Sequence, residues 1–201
     1  MTLHVRDAKR KMPAERHGEL LAKAVEIAHA EGLSAVTLRR VAADMGVTPG
    51  LVSHYFSAAE QLIAAAFRTA ALADLDEARS RVEGASSAGE KMAVLLDYVL
   101  DEEGDDGSAL WLETWTLRRR NAALAAEAED LTDQWLACIA AIVACGVDSG
   151  EFTVPDVEVA ARRLLIMIDG LGAQKVVRAV PAEEAKHIAR VYVSSELGVN
   201  G

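Results

Sequence analysis

Residues 37–56 read TLRRVAADMGVTPGLVSHYF, and this stretch restricts the fold more than any other in the chain. Thr37 can cap a short helix running to Met45, and Gly46 then turns the chain. Thr48 followed by Pro49 supplies a cap and a first-turn proline for a second short helix through about His54. Val41 and Ala42 on the first helix can bury against Val47, Leu51 and Val52 around the second. Two short helices packed across a tight glycine turn have the layout of a helix-turn-helix. In that motif the second helix enters the major groove with its N-terminal residues at the base edges. Here those residues are Thr48, Pro49 and Gly50, small enough for close backbone approach.

The flanking sequence is helical on both sides. Apolar residues Leu20, Leu21, Ala24, Val25, Ile27 and Ala28 follow the helical period over residues 14–31, and Gly32 is a good residue to end that helix. Ser57 and Glu60 have the spacing of a capping box and open a long helix carrying Leu62, Ile63, Ala66, Phe67, Ala70, Leu72 and Leu75. Ser87 and Glu90 form a second box. The acidic run 101–107 breaks that helix, and a tryptophan-bearing helix follows over about 108–119. Long helices are then expected over 122–147 and from Pro155 to about 180, with a last one from Pro181 to about 197. The reading is an all-α fold of about nine helices without strands. Residues 1–13 form a flexible basic arm, 14–57 a three-helix helix-turn-helix domain, and 58–201 a C-terminal helical bundle.

Net charge is −10 over 201 residues, which at first opposes binding to a polyanion, because Lys and Arg supply most non-specific affinity for nucleic acid. The charge is unevenly placed. Residues 1–56 hold eight Lys and Arg against six Asp and Glu, and the remainder holds 13 against 25. An anionic partner therefore suits only the N-terminal part. Cys138 and Cys145 lie seven apart in a helical stretch, about 10.5 Å at the helical rise, beyond disulfide reach. No apolar run reaches a membrane span and no signal peptide is recognisable, so a cytoplasmic protein without a membrane partner is expected.

The segment 14–62 resembles the DNA-binding domain of the TetR family. Its pattern is met by Thr37, Arg39, Val41, Ala42, Gly46, Val47, Tyr55, Phe56, Glu60 and Leu62. GLVSHYF at 50–56, with Trp111, Trp115 and the later Ile168, Asp169, Gly170 and Leu171, is similar to the BetI-type branch of that family. The resemblance implies a ligand-responsive transcriptional regulator, a repressor by family habit, released from a near-palindromic operator by a small molecule. It implies that Arg39 contacts a base or phosphate, that Thr37 and Thr48 are phosphate-facing caps, and that Ser53, His54 and Tyr55 add groove or phosphate contacts alongside Pro49 and Gly50. Arg40 points from a different face and is assigned to solvent or phosphate. His54 is divided evenly between a DNA surface and packing, while Phe56 suits the core. One position departs from the family pattern: Ala59 stands where a phosphate-reaching Lys is usual, so the basic arm could compensate.

A helical domain with apolar inner faces can enclose a ligand cavity. Met92, Leu96, Trp111, Trp115, Trp135, Met167 and Asp169 are the candidate lining residues. Trp111 and Trp115, spaced i, i+4, share one helix face. Each tryptophan is equally a core-filling residue, but paired indoles near Glu113 or Asp169 would suit a cation through cation–π attraction, choline-like compounds being one guess. By family resemblance the last two helices, with Leu164, Leu165, Ile168, Leu171, Val176, Ile188, Val191 and Tyr192, form a homodimer interface. Two-fold symmetry then places two recognition helices on successive major grooves. No cofactor or metal is expected: there is no phosphate loop or nucleophile motif, the five His (4, 17, 29, 54 and 187) are scattered, and an enzyme is disfavoured. A helical protein-interaction module without sequence-specific DNA binding is the remaining alternative.

Overall fold

The structure, a computed structural model, describes residues 12–101 and 105–199. Among these residues it holds nine α-helices, one 3-10 turn and no strand. The expected arm at 1–13 lies outside the described residues except for Met12 and Pro13. Pro13 is the first residue of helix α1 (Pro13–Glu31), where its missing N–H costs nothing. A 3-10 turn (Leu33–Ala35) leads to α2 (Leu38–Asp44) and α3 (Pro49–Tyr55). Then come α4 (Ala59–Glu83), α5 (Ala88–Leu100), α6 (Asp105–Leu117), α7 (Ala122–Ser149), α8 (Val157–Val176) and α9 (Ala182–Glu196).

Two apolar cores organise these helices. The N-terminal one gathers Leu20 and Ile27 of α1, Val41 of α2, Val52 of α3, and Leu62 and Phe67 of α4, but it is completed by Leu110, Leu124 and Leu131 from α6 and α7. The second core joins Leu75 of α4 to Met92 and Leu96 of α5, Ile139 and Val143 of α7, Leu164 of α8, and Ala185 and Ala189 of α9. Helix α4 thus runs through both. Asn121 fastens the junction: its Oδ1 accepts from the Leu124 amide and caps α7, while its Nδ2 donates to the Glu60 carbonyl at 3.1 Å near the start of α4. Helix α7 is long and apolar enough to cross a bilayer by length and composition, yet its apolar side is packed into both cores.

Several local expectations shift in register. Helix α4 begins one residue later than the Ser57–Glu60 box requires: its N-cap is Ala58, and the Ser57 hydroxyl donates to Gln61 Oε1 instead. Ser87 does cap α5 by accepting from the Glu90 amide, while the Glu90 carboxylate accepts from Ser86 N and Oγ rather than closing the reciprocal box on Ser87. Helix α6 starts at Asp105, inside the acidic run expected to be a break. Its first-turn Asp105 and Asp106 suit the positive end of the helix dipole.

Helix α7 continues through Gly146 to Ser149, because Gly146 serves packing: a Cβ there would collide with the Phe152 ring. Helix α8 stops at Val176, short of 180, in a Schellman-type end. The Arg178 amide donates to Lys175 O and the Ala179 amide to Gln174 O, with Arg178 at φ 56 in the place usually given to glycine. Buried Lys175 and Lys186 tie α8 and α9 to the end of α5: Lys175 Nζ donates to Asp101 O at 2.5 Å, and Lys186 Nζ to Asp101 Oδ1 at 3.0 Å.

Candidate nucleic-acid interface and ligand cavity

The α2–α3 pair is built from the caps outward. Thr37 Oγ1 accepts from the Arg40 amide at 3.0 Å, and Thr48 Oγ1 accepts from the Leu51 amide at 3.3 Å. Gly46 makes the turn at φ 64, a conformation that favours glycine. Buried Val41, Ala42 and Val52 hold the inner faces together, which leaves Thr37, Arg39, Thr48, Pro49, Gly50, Ser53 and His54 exposed. Ser53 Oγ donates to Gly50 O at 3.1 Å within α3.

The two adjacent arginines separate sharply. Arg39 has no ion-pair partner among the described residues. Arg40 is committed inside the protein: Nη1 and Nη2 donate to the two Glu31 oxygens at 2.6 Å each, and Nε donates to Asp44 Oδ1 at 3.0 Å. The guanidinium hydrogen bonds hold the Glu31 carboxyl below its ordinary range. Arg40 therefore clamps the end of α1 to α2, a long-range pairing that its place in sequence did not suggest, in place of the expected solvent or phosphate assignment.

Behind α3, Phe56 is buried and stacks on His17 of α1, with ring centroids 4.8 Å apart. Tyr55 is half-buried between His17 at 6.3 Å and His54 at 5.2 Å, both edge-on. His17 was not among the sequence candidates; nothing in its spacing marks it. Ala59 is the first residue of α4 and brings no cation to that helix end.

A cavity of about 230 Å³ lies between helices α4 to α8, and α1 contributes His29 to its lining. Four sequence candidates meet there: Trp111 and Trp115 from α6, Trp135 from α7 and Asp169 from α8. The other three lie elsewhere. Met92 and Leu96 are fully buried in the second core, because α5 turns that face inward, and Met167 packs against the same core. The α5 residues that do line the cavity are Tyr98 and Val99, and Asp74 of α4 and Asp106 of α6 join them. Their heptad positions carry no sequence mark, since their neighbours come from distant helices.

Trp111 is held by packing. Phe67 meets Trp111 edge-to-face at 5.0 Å, and Arg81 covers the Tyr98 ring at 4.6 Å. Asp169 makes no hydrogen bond or ion pair with a described residue, and burial alone pushes its carboxyl up to about 7. Asp74 is also raised, mainly by burial, with His29 opposing and Asp106 reinforcing the shift. Among the described residues the lining contains no Lys or Arg.

Helix α6 connects the cavity to the N-terminal unit. Glu113 follows Trp111 by two residues, about 200° round the helix, and so faces away from the tryptophans. Its carboxylate accepts from the Ser34 amide at 3.4 Å and lies against Gly32.

A helix-turn-helix with an exposed second helix, fused to a helical bundle enclosing a ligand-sized cavity, defines a one-component DNA-binding regulator. Comparison with known proteins agrees. Residues 20–66 match the bacterial regulatory proteins of the tetR family, and residues 90–198 match the C-terminal domain of the BetI-type transcriptional repressors. The regulator BetI 1 of Chromohalobacter salexigens is 28% identical over 188 residues, covering 90% of each chain. BetI of Rhizobium meliloti is 27% identical over 198 residues, covering 94% of this chain and 93% of that one.

Among solved structures, a Saccharomonospora viridis protein assigned as a transcriptional regulator, in complex with choline, superposes with a TM-score of 0.79 at 22% identity, covering 90% of this chain and 96% of that one. A TetR transcription regulator from Haloarcula marismortui gives a TM-score of 0.76 at 22% identity, covering 92% and 97%. The chain belongs to the TetR family of transcriptional regulators, with a C-terminal domain of the BetI repressor type. It is a ligand-responsive DNA-binding repressor rather than an enzyme or a bare interaction module.

Proposed function

We propose that the repressor acts as a cytoplasmic homodimer that binds a near-palindromic operator through α2 and α3 and leaves it when an organic cation enters the cavity. The observation that carries the effector class is Asp169, a half-buried carboxyl without a hydrogen-bond or ion-pair partner among the described residues, in a cavity walled by Trp111, Trp115, Trp135 and Tyr98. Indole and phenol faces attract a cation, and a carboxylate completes the site. Choline bound to the Saccharomonospora viridis relative supports the same class.

On the DNA side, Arg39 is the base or phosphate reader: it is exposed and has no ion-pair partner among the described residues, while Arg40 is locked. Thr37 and Thr48 present helix N-termini to phosphates, Pro49 and Gly50 allow close approach, and Ser53, His54 and Tyr55 add contacts along α3. The basic segment before Pro13 makes up for the missing cation at Ala59. The dimer forms through α8 and α9, whose apolar side chains Ile166 and Val191 are 65% and 59% exposed in the single chain.

Selection of bound duplexes from a random library, followed by titration of the best duplex at fixed salt, tests the DNA reading. A near-palindrome is expected, with Arg39→Ala weakening binding by about 1–3 kcal/mol. Failure to enrich any sequence would overturn it.

A further inference from the structure

His29 and Glu31 share the last turn of α1, and a step of two residues carries a helix about 200° round its axis, so the two side chains face opposite ways. His29 faces the cavity. Among the described residues that line it, His29 alone precedes α4, and it stands exposed at the rim. Glu31 faces α2, where its carboxylate oxygens accept from Arg40 Nη1 and Nη2 at 2.6 Å each, while Arg40 Nε donates to Asp44 Oδ1 at 3.0 Å. These side chains are partly exposed, so the pairing adds little to stability. What a bidentate pair supplies is geometry, here a fixed angle between the end of α1 and α2. The Gly32 amide donates to Ala28 O at 2.9 Å and closes the turn, so His29 and Glu31 move together.

We propose that this turn carries the ligand response to the DNA-binding unit: an organic cation filling the cavity meets His29, and the Glu31–Arg40 pair passes the displacement to α2, where Arg39 adjoins Arg40. Occupancy favours the placement of α1 that leaves room at His29, which supplies the differential affinity a ligand needs to shift a two-state equilibrium. His29 thereby sets how far a filled cavity changes operator binding, whereas Asp169 and the tryptophans set how tightly it is filled. Glu31 is a positioning residue, acting through Arg40 without touching the ligand. The inference rests on the reading of this cavity as the effector site for an organic cation.

The test is operator affinity of the full-length protein by fluorescence anisotropy, without ligand and at full occupancy, with choline, tetramethylammonium and short alkyltrimethylammonium ions as probes. Calorimetry on each variant sets the concentration that fills its cavity, so altered ligand affinity does not enter the comparison. For the probe most effective on the wild type, the ligand-induced loss of operator affinity is expected to shrink by about threefold or more in His29→Ala and in Glu31→Gln, a usual size for residues that modulate coupling. Glu31→Gln is expected to bind the probe as the wild type does. His29→Gln, which restores a polar side chain of similar reach, is expected to recover part of the response. Because the two residues act in series, the double variant is expected to lose no more than the more affected single variant. A wild-type response in both single variants would overturn the relay and leave the cation-effector reading standing. Losses that multiply in the double variant would overturn the series arrangement. Binding of no probe, or binding that leaves wild-type operator affinity unmoved, would overturn the cation-effector reading and the relay with it.

Discussion

Glu113 of α6 accepts a hydrogen bond from the Ser34 amide at 3.4 Å, joining the helix that carries the cavity tryptophans to the 3-10 turn between α1 and α2. A ligand that displaces Trp111 or Trp115 therefore moves a helix whose opposite side bears on the DNA-binding unit. Glu113→Ala is expected to leave ligand affinity within about twofold and to reduce the ligand-induced change in operator affinity, a coupling typically worth about 1–3 kcal/mol. Operator titration with and without ligand, in both proteins, checks it.

The same contact needs Gly32. Its φ of 87 and ψ of 165 belong to a region that is essentially glycine-only. Gly32→Ala is expected to cost about 1–3 kcal/mol in unfolding free energy, read from denaturant melts.

Asp169 is expected to make cation binding depend on pH. Its carboxyl is neutral below about 7 and ionised above, and the cation needs the ionised form. Affinity is expected to rise with pH through that value, by at least about tenfold between roughly pH 5.5 and 8.5, with proton release on binding at the acid end. For the unliganded protein the sign is opposite. The folded state holds a proton that the unfolded chain has lost, so Asp169 favours the fold at low pH and that contribution declines from the ordinary aspartate range up to about 7. Asp169→Asn should flatten both dependences.

The exposed face of α8 and α9 gives a separable test of assembly. Ile166→Asp combined with Val191→Asp removes no core contact, since both side chains lie mostly in solvent in the single chain. Sedimentation is expected to show a dimer for the wild type and a folded monomer for the variant, with operator affinity falling steeply. A variant that still sediments as a dimer would exclude this face.

Much of the helix pattern is legible in short-range chemistry. Thr37, Thr48 and Ser87 cap where their local sequence implies, and Gly46 turns where a turn is needed. The errors have local and distant causes. Arg178 ends α8 in a left-handed conformation that only a glycine would have announced; Arg178→Gly is expected to stabilise the fold by about 0.5–1 kcal/mol in thermal or denaturant melts. In the cavity, the i, i+4 tryptophans are visible in sequence because one helix holds both. His29, Asp74 and Tyr98 come from three other helices, and no period links them to Asp169. Met92 and Leu96 stand out in the sequence by apolar character, which is shared by core and pocket. Only the packing of α5 against α7 and α8 decides between them. Arg40 is likewise explained by Glu31, nine residues away and on another helix.

A cation in this cavity is expected to release the protein from its operator. Fluorescence anisotropy of a labelled, selected operator duplex, at fixed salt and mildly alkaline pH, measures it directly as choline and other small organic ammonium ions are added. A saturable loss of binding is expected with at least one of these cations, abolished in Asp169→Asn while that variant still binds the duplex. Operator affinity unmoved by every cation, at concentrations that calorimetry shows to fill the cavity, would contradict it.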